Sequence, residues 1–149
     1  MIQRRVISVG SLISGLVAFY LHLYKYGYVA SLACTGGPHG CDYVQNSAYG
    51  TFMGKDVALL GTWLYAAIFV VATTGALERF ANAKWPTYAL MGLIFPGFLF
   101  TLRLKYYEYF VLHGFCIWCL VNAVTITVCT VTVVLDYRRL GQHKEREVL

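Results

Sequence analysis

The sequence predicts an all-α integral membrane protein: a four-helix bundle with a short half-helix in its outer loop and both termini cytoplasmic. Three observations predict it. Of 149 residues, 58% are hydrophobic and only 13% charged, so a water-soluble domain of this length would have to hide far too much apolar surface. The apolar residues gather in four runs, 6–24, 57–77, 86–107 and 115–135, each long enough to cross about 30 Å of hydrocarbon. The basic residues also sort by side. Arg4, Arg5, Arg79, Lys84, Arg138, Arg139, Lys144 and Arg146 fall on the side of the two termini, against Lys25, Lys55, Arg103 and Lys105 near the other. That bias sets the termini in the cytoplasm.

The four crossings use nearly the whole chain, so residues 1–149 read as a single transmembrane domain. What remains is a basic start, an outer loop over 29–56, two turns and a charged tail, none large enough for a core of its own. The net charge of +5 is dispersed rather than clustered, which excludes nucleic acid as a partner and leaves the lipid bilayer as the surface it serves.

Each element has its own signal. In the first helix Gly10, Ser11, Ser14 and Gly15 suit close packing in lipid. This run is read as a retained span rather than a removable signal: it is long enough to cross, and Lys25 with Tyr20, Tyr24, Tyr26 and Tyr28 lies between it and Cys34. Those tyrosines form an interfacial belt, matched by Tyr106, Tyr107, Tyr109 and Phe110 at the end of the third helix. In the outer loop, residues 34–41 read Cys-Thr-Gly-Gly-Pro-His-Gly-Cys, a turn-rich segment, and 42–49 predict two helical turns closed by Gly50 and Gly54. The third helix starts at Pro86, well suited to a first turn. Pro96 in its middle predicts a kink and room for a cavity. Arg103 and Lys105, a turn inside the outer belt, are read as snorkelling to the headgroups.

Five cysteines carry the chemistry. Cys34, Cys41, Cys116 and Cys119 fall on the outer face, where disulfides form and persist. Cys129 lies about 15 Å further down the last helix at 1.5 Å per residue and reads as a small buried apolar residue. Cys116 and Cys119 form a Cys-x-x-Cys pair on one helix face, at a helix start that favours the thiolate. That pair is a reactive dithiol, an inert structural disulfide or half of a metal site. Zinc is disfavoured by the spacing of the remaining cysteines and His39, and covalent haem attachment is excluded because Leu120 stands where a histidine is needed. Cys34 and Cys41 alone would read as a staple; beside a second pair they read as a flexible dithiol that passes electrons on by exchange, with Gly36, Gly37 and Gly40 supplying freedom.

In the order and spacing of Cys34, Gly40-Cys41-Asp42-Tyr43-Val44, Ser47, Ala58-Leu59-Leu60-Gly61 and Phe115-Cys116-Ile117-Trp118-Cys119, the chain resembles the vitamin K epoxide reductase family over nearly its whole length. The resemblance implies a four-helix bundle with a half-helix in the outer loop and a quinone pocket beneath it. It also implies roles: Cys34 meets the redox partner, Cys41 shuttles electrons onto Cys116, and Cys119 faces the quinone. Ser47 matches the family's loop serine and either caps locally or shapes the quinone site. Asn122, one turn below Cys119, either meets a quinone carbonyl or bonds within the bundle. Ala123 stands about where vertebrate members carry a tyrosine near the naphthoquinone ring. His113, just before the motif, is a candidate for proton handling.

Three departures shape the expectation: no thioredoxin-like domain follows the fourth helix, the loop between Ser47 and Gly61 is short, and Ala123 replaces that tyrosine. Lys55-Asp56 also replaces the family's more usual Ile-Pro. The expected function is therefore a membrane thiol-disulfide oxidoreductase. It re-oxidises a separate thioredoxin-fold or DsbA-like protein and passes the electrons to a quinone of menaquinone, ubiquinone or vitamin K type. The alternatives are a true epoxide reductase, a DsbB-type reductase, in which the order of the two cysteine pairs is reversed, and a non-enzymatic tetraspan protein stapled by disulfides. The expected location is a bacterial plasma membrane with the redox cysteines on the extracytoplasmic face. Oligomeric state is not predicted.

Overall fold

The computed structural model of the chain describes residues 2–30, 34, 37 and 40–149; His39 and Gly36 lie outside them. Four helices are long and apolar enough to cross a membrane. They are α1 (Ile2–Lys25), α3 (Val57–Ala76), α4 (Trp85–Tyr106) and α5 (Ile117–Val148). Between α1 and α3 the outer loop holds the short helix α2 (Cys41–Asn46), a single 3-10 turn (Ala48–Gly50), and a two-residue-by-two-residue hairpin of β1 (Thr51–Phe52) and β2 (Lys55–Asp56). This is the bundle that the apolar runs predict, with the half-helix expected over 42–49 formed at Cys41–Asn46. In the ring of helices α1 touches α3 and α5, and α4 touches the same two.

The core forms where all four helices meet. Ile7 of α1, Tyr65, Ile68 and Ala72 of α3, Leu90 and Ile94 of α4, and Ile126, Cys129 and Val133 of α5 make one buried cluster. Their spacing of three and four is the stripe an α-helix turns toward its neighbours. The outward faces carry Val9, Leu16, Val70, Leu99, Val124 and Val131 in the open, as expected where lipid takes the place of water. Cys129, at 2% exposure, is part of this packing.

Three features were not predicted. Residues 51–56, an undifferentiated loop on sequence grounds, form the hairpin because Met53 and Gly54 both take left-handed angles, φ 51° and 75°, the pair a tight type I′ turn requires. Asp56 then ends β2 and caps α3 by accepting from the Ala58 amide. It also meets His22 Nδ1 at 2.6 Å and Lys25 Nζ at 3.2 Å from the end of α1. Asp56 thus has a local purpose, fastening the loop to two helices. Finally, α5 continues through the charged tail to Val148 instead of ending near Leu135.

At the end of the bundle that holds both termini, Arg4 is fully buried and uses all five of its N–H donors. Nε meets Asp136 Oδ2 at 3.0 Å; the terminal nitrogens donate to the carbonyls of Gly75, Phe80 and Ala83 and to Thr87 Oγ1. Thr87 in turn donates to Asp136 Oδ2 at 2.6 Å. One side chain from α1 therefore ties the turn between α3 and α4 to α5. Gly75 permits the approach, since a Cβ there would stand 2.7 Å from Pro86 Cβ.

Candidate redox site

At the opposite end the two cysteine pairs lie in different elements and in different redox states. Cys34 is disulfide-bonded to Cys41, with their Cα atoms 6.1 Å apart. Cys116 and Cys119 are free thiols. Burial grades along the set: Cys34 is half-buried, Cys41 1% exposed and Cys116 completely buried. Cys41 is the first residue of α2, and Gln45, one turn later on the same face, is also buried. Gln45 Nε2 points at Cys119 Sγ across 3.8 Å, so this face of α2 rests on the start of α5.

Cys116 caps α5 rather than lying inside it. Its backbone is extended, the helix begins at Ile117, and its Sγ accepts from the Cys119 amide at 3.4 Å. The Cys116 thiol is held below the ordinary thiol value, first by the side-chain hydrogen bond from Cys119 and next by the amides of residues 119 and 118, against burial and the charge of Glu108. Amides at a helix start stabilise the anionic form.

Glu108 is the residue that sequence reading missed. The last turn of α4 widens into a π-helical turn over Tyr107–Val111, closed by the Leu112 amide donating to the Tyr107 carbonyl at 2.9 Å. Such turns are rare and recur at functional sites. Here the turn swings Glu108 inward to 4% exposure. Oε1 accepts from the Cys116 amide at 2.8 Å and Oε2 pairs with Lys105 Nζ at 2.9 Å. Lys105 therefore points at this pair instead of at lipid headgroups, whereas Arg103 lies over the Tyr107 ring at 5.5 Å. The available signal was a lysine and a glutamate three apart just ahead of the Cys-x-x-Cys. His113 takes a left-handed angle, φ 49°, in the turn that brings the chain from Glu108 back to Cys116.

Beneath α2 the helices frame a cavity of about 410 Å³, walled mainly by apolar groups such as Leu64, Pro96, Phe100 and Ile126. Its polar rim includes Gln45, Ser47, Lys105, Glu108, Cys119 and Asn122. Cys119, Ser47 and Asn122 are thus brought together on one space. Ala123 is not among the lining residues. Ser47 also donates to the Val44 carbonyl at 2.7 Å, so it closes α2 and lines the cavity at once. Asn122 Oδ1 is buried with no hydrogen-bond partner among the described residues, and Tyr65 donates to the Asn122 carbonyl from α3. Among the described residues no cluster of histidine, cysteine or carboxylate groups could hold a metal.

The model of the Vitamin K epoxide reductase family matches residues 5–134 of the chain. The match spans α1 to α5 and includes both cysteine pairs.

Proposed function

The chain belongs to the vitamin K epoxide reductase family of membrane oxidoreductases, and from that premise we propose that it oxidises the dithiol of a separate thioredoxin-fold protein and delivers the electrons to a quinone. The observation that carries the reading is the free Cys116 and Cys119 pair opening, through Cys119, into an apolar cavity. A disulfide staple has no need of that opening.

The cavity suits a quinone. Its volume lies at the lower end of ordinary ligand pockets, roughly 300 to 1,000 Å³, and its walls are apolar with a few convergent polar groups. Asn122 Oδ1, buried and unpartnered, is an acceptor that a quinol hydroxyl would satisfy, since an orphaned buried acceptor costs about 1 to 3 kcal/mol. Cys119, Ser47, Gln45 and Asn122 would hold the ring from above and from one side. When bound, the quinone supplies a two-electron, two-proton acceptor.

The chain's own steps follow from burial and bonding. A thiolate of the reduced partner attacks Cys34, the more open sulfur of the outer disulfide, and Cys41 leaves as thiolate. Cys41, at the buried face of α2, then attacks Cys116 of the oxidised inner pair, releasing Cys119 as a thiol. The partner's second thiol and Cys34 complete the exchange, leaving a disulfide in the partner. Cys116 is the receiving sulfur because the amides and the Cys119 thiol that favour its thiolate make it a good leaving group when Cys34 attacks Cys41 of the Cys41–Cys116 bridge and re-forms the outer disulfide. A bridged outer pair beside a reduced inner pair is the stage at which two electrons wait at Cys116 and Cys119.

The test uses purified protein in nanodiscs, a reduced thioredoxin-fold donor and a water-soluble quinone. Replacing Cys116 or Cys119 by alanine is expected to abolish quinol formation, and Cys129→Ala to leave it within about twofold. Quinol formation that persists without Cys119 would overturn the reading.

A further inference from the structure

The ion pair of Lys105 and Glu108 is the only pair of charged side chains lining the cavity among the described residues. Its position is costly: charges drawn out of water lose hydration, and well-packed apolar residues of similar volume are often at least as stable in such a place. Its geometry is specific. Glu108 is 5% exposed at the side chain and Lys105 25%; one carboxylate oxygen rests on the amide of Cys116, three covalent bonds from that residue's sulfur, while the other is held by the lysine. The ammonium thus stands at the cavity and the carboxylate between it and the redox pair. The groups facing Glu108 are Lys105 from its own helix and Cys116 and Cys119 from the start of α5; the π-helical turn exists at this point and nowhere else among the described residues.

We infer that Lys105 and Glu108 form the proton path between the Cys116–Cys119 dithiol and the quinone, a deepening that rests on the quinone reading above. Oxidising the dithiol breaks two S–H bonds and forms one S–S bond, releasing two electrons and two protons; reducing the quinone consumes two of each and forms two O–H bonds. Cys119, at the cavity wall, gives its proton directly. Cys116, fully buried, gives its proton to Glu108, and Lys105 protonates the second quinone oxygen and is recharged by Glu108. Both side chains end each turnover as they began.

The test separates proton transfer from positioning. Glu108→Gln keeps a carbonyl oxygen for the Cys116 amide but cannot take a proton. With the full-length protein in nanodiscs, dithiothreitol as donor and menadione or a short-chain ubiquinone as acceptor, the variant is expected to lose about 100-fold in turnover, the order of a general acid or base. Alkylation of the reduced protein at Cys116, followed without any quinone, is expected to be as fast as in the wild type or faster, because a negative charge near the thiolate has gone. Lys105→Gln should lose turnover to a similar extent, and Glu108→Asp should recover part of the rate. Turnover of Glu108→Gln within threefold of wild type overturns the proton path, as does a parallel fall in alkylation, which marks a positioning role. A wild-type protein that reduces neither quinone instead overturns the quinone reading, and this inference with it.

Discussion

Cys116 and Cys119 sit three residues apart, yet their surroundings make them unequal. Cys116 has the amides of the helix start, the Cys119 thiol and the Glu108 contact around it; Cys119 has the cavity. The depressed value of Cys116 sets a sign for its pH dependence. Its thiolate survives to lower pH than that of an ordinary thiol, so the rate of alkylation at Cys116 should reach half its maximum at a lower pH than that of a free cysteine in the same buffer. The folded state gains from this thiolate above the unfolded thiol value and loses the gain as pH falls through the folded one. Mass spectrometry of iodoacetamide-trapped protein across a pH series checks it, and a midpoint at or above the free cysteine would count against the cap geometry. The motif and the role of a helix start were legible in the sequence; the identity of the carboxylate beside them was not. Glu108 and Cys116 are brought together by a π-helical turn and a left-handed residue, and neither leaves a periodic trace in sequence.

The four long helices were readable because a span of lipid imposes a length and a composition on each. Pairings between helices were not. Arg4 looks like ordinary positive charge at the start of a span, and its partner Asp136 lies 132 residues away; nothing in local pattern connects them. Asp56, opaque in sequence, resolves into a helix cap, an ion pair with Lys25 and a hydrogen bond with His22 once α1 is beside it. Each of these pairings is an element-scale device with a measurable cost. Arg4→Ala leaves Asp136 buried without its principal counter-charge, and breaking one partner of a buried pair costs about 3 to 5 kcal/mol. The expected outcome is a marked fall in thermal unfolding temperature in detergent. Arg4→Ala with Asp136→Leu should regain part of it, because removing both charges removes the uncompensated one. Equal losses in the single and double variants would mean that the pair contributes no coupling.

Across the whole molecule the chemistry is segregated to one end and the structural ion pair to the other. The lysine and arginine bias toward the end carrying both termini predicts which side of the membrane each end faces, and a direct measurement follows. In a variant with all five cysteines replaced by alanine, Tyr28→Cys should react with a membrane-impermeant maleimide on intact bacterial cells, and Leu149→Cys only after the cells are opened. The reverse pattern would turn the bundle over and place the redox pairs inside the cell. The helical tail from residue 136 to 148 would then lie on the same side as Leu149 in either case.

Arg4 also has a history within each molecule's own synthesis. Its synthesis precedes by 132 residues that of Asp136, the carboxylate that neutralises it. Until α5 arrives, the carbonyls of Gly75, Phe80 and Ala83 can accept its hydrogen bonds but cannot cancel its charge. A chain cut short before Asp136 therefore carries an unbalanced cation at that end of the bundle, a charge the finished fold cancels only when its last helix is in place.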